Sequence, residues 1–316
     1  MSGQTLETHF LEPLGALIEI GGGRRLHAVT AGSGSPTVVF ESGGAGGSAI
    51  QDLPVLRRIS AFTRGVVYDR AGLGWSDPAP PGRSFEERAS DLHALLSRSE
   101  TPPFVLVGSS FGGLLVRMFC KLYPEQVAGV VLVDGGDEAK YFSAMRSMRA
   151  VHEREVREET GRIASGELRR RLERDLGRTR LFTETEKAAL LEVVPRASHY
   201  ETALSEFTAI DRTPLDRQGA GGFGTFGDRP LVVLSHGVTN QESIWEEGYT
   251  QSQQYLASLS TDSARVVAEG VGHSIALEHP DLVAAAIEAV VAAVNGQKLD
   301  TARVRQLAAF KPRAPG

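Results

Sequence analysis

The sequence predicts an α/β fold: a mostly parallel sheet covered by helices on both faces. Two observations carry this. Short runs such as Thr37-Val38-Val39-Phe40, Phe104-Val105-Leu106-Val107 and residues 129–133 are apolar throughout or nearly so, the pattern of strands buried on both sides. These runs alternate with helical patterns, which is how parallel strands are connected.

Taken in order, residues 17–20 and 25–30 flank Gly21-Gly22-Gly23 and read as a β-hairpin. Residues 37–40 form a third strand ending in Glu41-Ser42-Gly43-Gly44, and residues 65–68 a fourth ending in Asp69-Arg70-Ala71-Gly72-Leu73-Gly74-Trp75-Ser76. Ser84-x-x-Glu87 is a capping box opening a helix whose Phe85, Ala89, Leu92 and Leu96 share a face. The fifth strand, 104–107, runs straight into Gly108-Ser109-Ser110-Phe111-Gly112 and a helix. A serine on so sharp a strand-to-helix turn sits in strained backbone, so glycines are needed where a Cβ would collide. Its hydroxyl then projects at a helix N-terminus, where free N–H groups favour negative charge. Residues 129–133 give a sixth strand, ending in Asp134-Gly135-Gly136.

The alternation then stops. Between 137 and 227 the sequence shows amphipathic helices only, with stripes at Leu168, Leu172, Leu176 and at Tyr200, Leu204, Phe207, Ile210, and a Thr183-x-x-Glu186 cap. Strands return at 230–234 and 264–268, and the last helix starts at Pro280. The expected division is a core of 1–136 and 228–298, a helical cap of 137–227, and a tail of 299–316.

Composition sets bounds. The chain of 316 residues is long enough for a large core, and its net charge of −5 gives no reason to expect nucleic acid or an anionic membrane as partner. The lone cysteine, Cys120, excludes an intrachain disulfide and zinc-type cysteine clusters. No signal-peptide pattern is visible at the N-terminus, and the longest apolar run, 282–294, is short for a bilayer span. A cytoplasmic protein acting on a small molecule is the expectation.

These turns after strands three to six, with Gly272-His273-Ser274 and Glu278-His279-Pro280 near the C-terminus, resemble the α/β-hydrolase superfamily, in particular its capped serine hydrolases. The resemblance spans nearly the whole chain. It implies an eight-stranded α/β-hydrolase sheet with a helical lid inserted after strand six, and no metal or organic cofactor. It makes Ser110 the nucleophile and His273 the general base, since a serine hydroxyl attacks at neutral pH only when a base takes its proton. It places the oxyanion hole on the backbone N–H groups of Gly44 and Phe111, each donor worth about 3 kcal/mol. His236, just past strand seven, and His279 are the other C-terminal histidines weighed as base.

The acid departs from the usual pattern, which has an aspartate in Gly-x-x-Asp after strand seven; here Gly237-Val238-Thr239-Asn240 puts an asparagine there. Asp134, after strand six, is preferred over Glu242, Glu246 and Glu247. Ser109 stands where many relatives have histidine. Asp69 and Arg70 are expected to lock the strand-four loop, and Trp75, Phe142, Tyr200, Phe223 and Phe226 are candidates to line the pocket. The reaction these residues imply is hydrolysis of a small to medium apolar carboxylic ester. Ser110 argues against the dehalogenase and epoxide-hydrolase branches, which need aspartate there; amide, lactone and carbon–carbon bonds stay open, as does a ligand-binding role. One different class competes: Gly44-Ala45-Gly46-Gly47-Ser48-Ala49, with Asp69 beyond it, fits a dinucleotide fingerprint. A hairpin precedes that strand, which counts against it.

Overall fold

The computed structural model describes residues 12–44, 48–138, 140–213, 220–237 and 248–309. Its centre is one eight-stranded sheet: β1 (Ala16–Gly21), β2 (Arg24–Ala31), β3 (Thr37–Glu41), β4 (Gly65–Tyr68), β5 (Phe104–Ser109), β6 (Val127–Val133), β7 (Leu231–His236) and β8 (Ser263–Ala268). The order across the sheet is β1-β2-β4-β3-β5-β6-β7-β8. The β1–β2 hairpin and the β2–β4 pair are antiparallel; every pair from β4 to β8 is parallel.

The all-apolar strands divide their side chains by the two-residue period of extended chain. Val39, Leu106, Leu132 and Val233 face one core, with α2 (Phe85–Ser99) and α3 (Phe111–Leu122). Val38, Phe40, Val105, Val107, Val131 and Leu234 face the other, with α1 (Leu53–Ile59) and α12 (Pro280–Val294). Both faces are therefore covered, as all-apolar strands require. The capping box at Ser84 and Glu87 is formed in full, and so is the one at Thr183 and Glu186.

Between β6 and β7 lie α4 (Lys140–Ser147), α5 (Arg149–Ala164), α6 (Glu167–Arg178), α7 (Glu184–Val193), α8 (Ala197–Arg212) and α9 (Ala220–Phe223). The arginines and glutamates of α5 and α6 pair at the surface, among them Arg149–Glu153, Arg162–Glu159 and Arg171–Glu159. On α8 the buried stripe is not the expected one. His199, Ala203, Glu206 and Ile210 are buried, while Tyr200, Leu204 and Phe207 are only half-buried. An apolar-periodicity reading misses this because the stripe contains a carboxylate, which can be buried when charged partners meet it.

The remaining helices are α10 (Tyr249–Ala257), α11 (Ile275–Glu278) and α13 (Ala302–Ala308). The last falls in the stretch set aside as a tail, yet Val304 and Ala308 are buried and Glu269 N–H donates to the Ala308 carbonyl (2.9 Å). Among the described residues no helix is long and apolar enough to cross a membrane.

Candidate active site

Five neighbouring strands deliver their C-terminal turns to one place: Gly43 and Gly44 after β3, Ser110 after β5, Asp134 after β6, His236 at the end of β7 and His273 after β8. Ser110 has φ 50° and ψ −118°, a conformation that L residues hold only when their surroundings impose it. The surroundings do impose it. Ser110 N–H donates to Val133 O (3.1 Å), and Ser110 O accepts from Gly113 N–H and Gly136 N–H (3.0 Å each). A Cβ at Gly112 would lie 2.2 Å from Glu41 O, and one at Gly108 would lie 2.8 Å from the Gly113 Cα. Both glycines are thus required for the turn to fit between β3 and α3.

The Nε2 atom of His273 lies 3.1 Å from Ser110 Oγ, and its Nδ1 is hydrogen-bonded to Asp134 Oδ2. His273 is well exposed and Asp134 is buried. Asp134 itself has φ 51° and accepts four hydrogen bonds. Oδ1 takes His236 N–H (3.1 Å) and the Tyr249 hydroxyl; Oδ2 takes His236 Nδ1 (2.8 Å) and His273 Nδ1. Burial pushes this carboxyl's pKa up, but the bonds from His236 and His273 outweigh it and hold the group well below the usual carboxylate range. Asp134 is therefore ionised, as an orienting and charge-compensating partner of an imidazole must be. Tyr249, stacked on His236 with ring centroids 4.1 Å apart, is kept protonated by burial and by the Asp134 charge.

The Asp134, His236 and His273 ligand atoms lie within 4.8 Å of one another, a set that can in principle hold a metal ion. The four donors on Asp134 already fill the four acceptor positions of a carboxylate, so the arrangement fits the holding of imidazole protons better. Of the other acids considered, Glu242, Glu246 and Glu247 lie outside the described residues, as does Asn240.

The loop after β3 closes the site. A Cβ on Gly43 would stand 3.7 Å from Ser110 Cβ, and one on Gly44 would stand 3.1 Å from Phe111 Cβ. Phe111 is the first residue of α3, where backbone N–H groups have no partner within the helix. Both expected oxyanion positions thus flank Ser110.

Three of the expected pocket residues sit elsewhere. Phe142, Phe223 and Phe226 are wholly buried. Phe142 and Phe223 pack with Phe85, which in turn contacts Phe111, so in this conformation they offer no ring surface to a ligand. Apolar burial of α4 and α9 on α2 and α3 claimed them. Trp75 is half-buried, edge-on to His27, and Tyr200 is half-buried on α8. The aromatic residue beside the serine is instead Tyr141 of α4, whose phenol burial pushes up in pKa while the Ser110 side chain pulls it back. Its ring lies on Gly136, where a Cβ would come within 2.8 Å of it. The second glycine after Asp134 was the available signal for this close approach.

Asp69 and Arg70 act on different loops. Asp69 is fully buried and accepts from Ser48 Oγ (3.0 Å), Ala49 N–H (2.8 Å), Trp75 N–H (3.2 Å) and His27 Nδ1 (2.7 Å). Its oxygens are consumed in tying the strand-four loop to residues 48–49, which leaves none for the ribose that a dinucleotide fingerprint would require. Arg70 does not lock that loop. It reaches across to the strand-three loop, donating to Ser42 O and Gly43 O.

Comparison with known proteins agrees with this architecture. The alpha/beta hydrolase family model matches residues 38–286. The uncharacterized protein YqjL of Bacillus subtilis is 24% identical over 81% of this chain and 83% of its own length. An esterase from Thermogutta terrifontis superposes with TM-score 0.62 at 22% identity, over 86% of this chain and 94% of that one. A Vigna radiata epoxide hydrolase mutant gives TM-score 0.68 at 15% identity, over 88% and 98%. At such identities the two structures speak for the fold alone, while the family model covers most of the sequence: the chain belongs to the alpha/beta hydrolase family.

Proposed function

We propose that this hydrolase is a serine esterase cleaving a small to medium apolar carboxylic ester through an acyl-enzyme on Ser110. The observation that carries this reading is the continuous line from Ser110 Oγ through His273 to Asp134. In the proposed course, Ser110 Oγ attacks the ester carbonyl as its proton passes to His273 Nε2. Asp134 holds the Nδ1 proton and offsets the imidazolium charge, so the correct tautomer faces serine. The oxyanion is received by the N–H groups of Gly44 and Phe111. His273 then returns the proton to the leaving alcohol, and a water that it deprotonates releases the acid.

The helices of 137–227 act in this reading as a cap, and Tyr141 edges the place where the acyl group binds. A serine nucleophile speaks against epoxide opening, for which this fold uses an aspartate. The esterase among the structural neighbours makes esters the first substrates to try.

The test is rapid mixing of wild type and Ser110→Ala with a p-nitrophenyl ester series. A burst of nitrophenol matching the enzyme concentration in wild type, absent from the variant, is expected. No turnover and no burst across the series, with tight binding of the same esters, would replace the esterase by a ligand-binding protein.

A further inference from the structure

Arg70 is a buried guanidinium with every donor engaged. Its Nε donates to Glu206 Oε1 (2.6 Å), and Nη2 donates to Glu206 Oε2 (3.0 Å) and to Gly43 O (2.8 Å). Nη1 donates to Ser42 O (2.7 Å) and Glu41 Oε2 (3.3 Å). Five N–H bonds meet five acceptors, the full capacity of the side chain. Two of those acceptors are consecutive carbonyls of the loop beside Ser110. Two belong to Glu206, which is fully buried on α8, in the segment between β6 and β7.

The consequence follows from peptide geometry. The Gly43 carbonyl and the Gly44 N–H are opposite ends of one planar trans unit, so they point in opposite directions. Whatever fixes the carbonyl fixes the N–H. Glycine at 43 and 44 leaves the backbone free to choose among many conformations. A planar guanidinium gripping two successive carbonyls removes that freedom, and a lysine, with one point charge, could not grip both in this way.

We propose that Arg70 is a positioning residue which aims the Gly44 N–H at the developing oxyanion, and that Glu206 of α8 anchors it there. The inference rests on the serine-hydrolase reading above. It makes the oxyanion hole dependent on the seating of α8: the inserted helices, besides covering the site, hold one of its donors in line. Arg88 is the internal control. It also lies buried beside Glu206 (3.6 Å), but among the described residues its Nε has no hydrogen-bond partner and its side chain makes no hydrogen bond to the loop.

The experiment measures the second-order rate of inactivation by a fluorophosphonate, whose phosphoryl oxygen occupies the oxyanion position, so no natural substrate is needed. Wild type, Arg70→Met, Arg70→Lys, Glu206→Gln and Arg88→Met are compared, each rate divided by the folded fraction from circular dichroism. Loss of one oxyanion donor costs about 10²-fold, so Arg70→Met is expected to react about 10²-fold more slowly. Glu206→Gln falls less, and Arg88→Met stays close to wild type. If Arg70→Met does not fold, Arg70→Lys carries the test with a smaller loss in the same direction. On a p-nitrophenyl ester the loss must fall on kcat with KM little changed.

Equal losses in Arg70→Met (or Arg70→Lys) and Arg88→Met, a loss confined to KM, or unaltered labelling of the Arg70 variants would each overturn the proposal. An unlabelled wild type is a separate outcome: it sinks the serine-hydrolase reading, and this inference with it.

Discussion

Among the described residues, two buried aspartates stand at the ends of parallel strands, each bonded through Oδ2 to the Nδ1 of a histidine. After β4, Asp69 meets His27; after β6, Asp134 meets His273. Both carboxyls are pushed up by burial and held below the ordinary range by their hydrogen bonds, first among them those from His27 on Asp69 and from His236 and His273 on Asp134. The difference lies at the far nitrogen. His27 is fully buried, its Nε2 has no partner among the described residues, and its ring meets Trp75 edge-on. His273 is exposed and its Nε2 faces Ser110 Oγ at 3.1 Å. In the proposed mechanism the same pair of residues makes a structural lock in one place and a proton-transfer device in the other, according to what the second nitrogen sees and whether water and substrate can reach it.

The comparison breaks first at Ser110. Ser110→Ala should cost about 10⁶ in kcat, the scale for deleting a member of an intact triad, as read by single-turnover kinetics. Asp134→Asn should cost about 10⁴, because an amide leaves the His273 tautomer wrong for accepting the serine proton. Wild-type activity in Asp134→Asn, with its fold intact, would return the acid to the glutamates after β7.

His27→Phe is the matching test of the lock. It removes a hydrogen bond to a buried charge, so denaturant unfolding should lose about 1.5–3 kcal/mol while kcat per folded molecule is unchanged. The pH sign is defined. A carboxyl held below its ordinary range lends stability that is complete above that range and is lost as pH falls through it. The variant, with Asp69 less depressed, should show a shallower acid-side loss. A fall in kcat without loss of stability would erase the distinction between the two pairs.

The smallest effect concerns Glu41, beneath the loop that Arg70 grips. Burial raises this carboxyl from 4.5 to about 7, opposed by the Arg70 charge and a hydrogen bond from Tyr68. A raised pKa means that the folded state binds the proton more tightly. Stability therefore declines as pH climbs from about 4.5 to about 7 and levels off above. Glu41→Gln should flatten that decline in thermal unfolding between those limits; an unchanged profile would place the titration on Asp52, which burial raises to about 6.

Much of the fold was legible in the residues. All-apolar strands demanded two covered faces, capping boxes marked helix starts, and glycines at 108 and 112 announced the strained turn at Ser110. These signals are local: each depends on a handful of neighbouring residues and on backbone sterics. Helix α1 and the docking of α13 were not legible, because short helices are defined by what they pack against.

What only the tertiary structure decided is which distant groups meet. His273 lies 163 positions from Ser110 and 139 from Asp134; Glu206 lies 136 from Arg70. Sequence pattern pointed to Ser110 and His273 as types of residue in types of turn, but left the acid among several carboxylates and put Arg70 on the wrong loop. It also chose the apolar stripe of α8 over the one that carries Glu206. Periodicity reads hydrophobicity one residue at a time, whereas a buried charge is stable only through a partner. That partner is brought within reach by the folded chain alone.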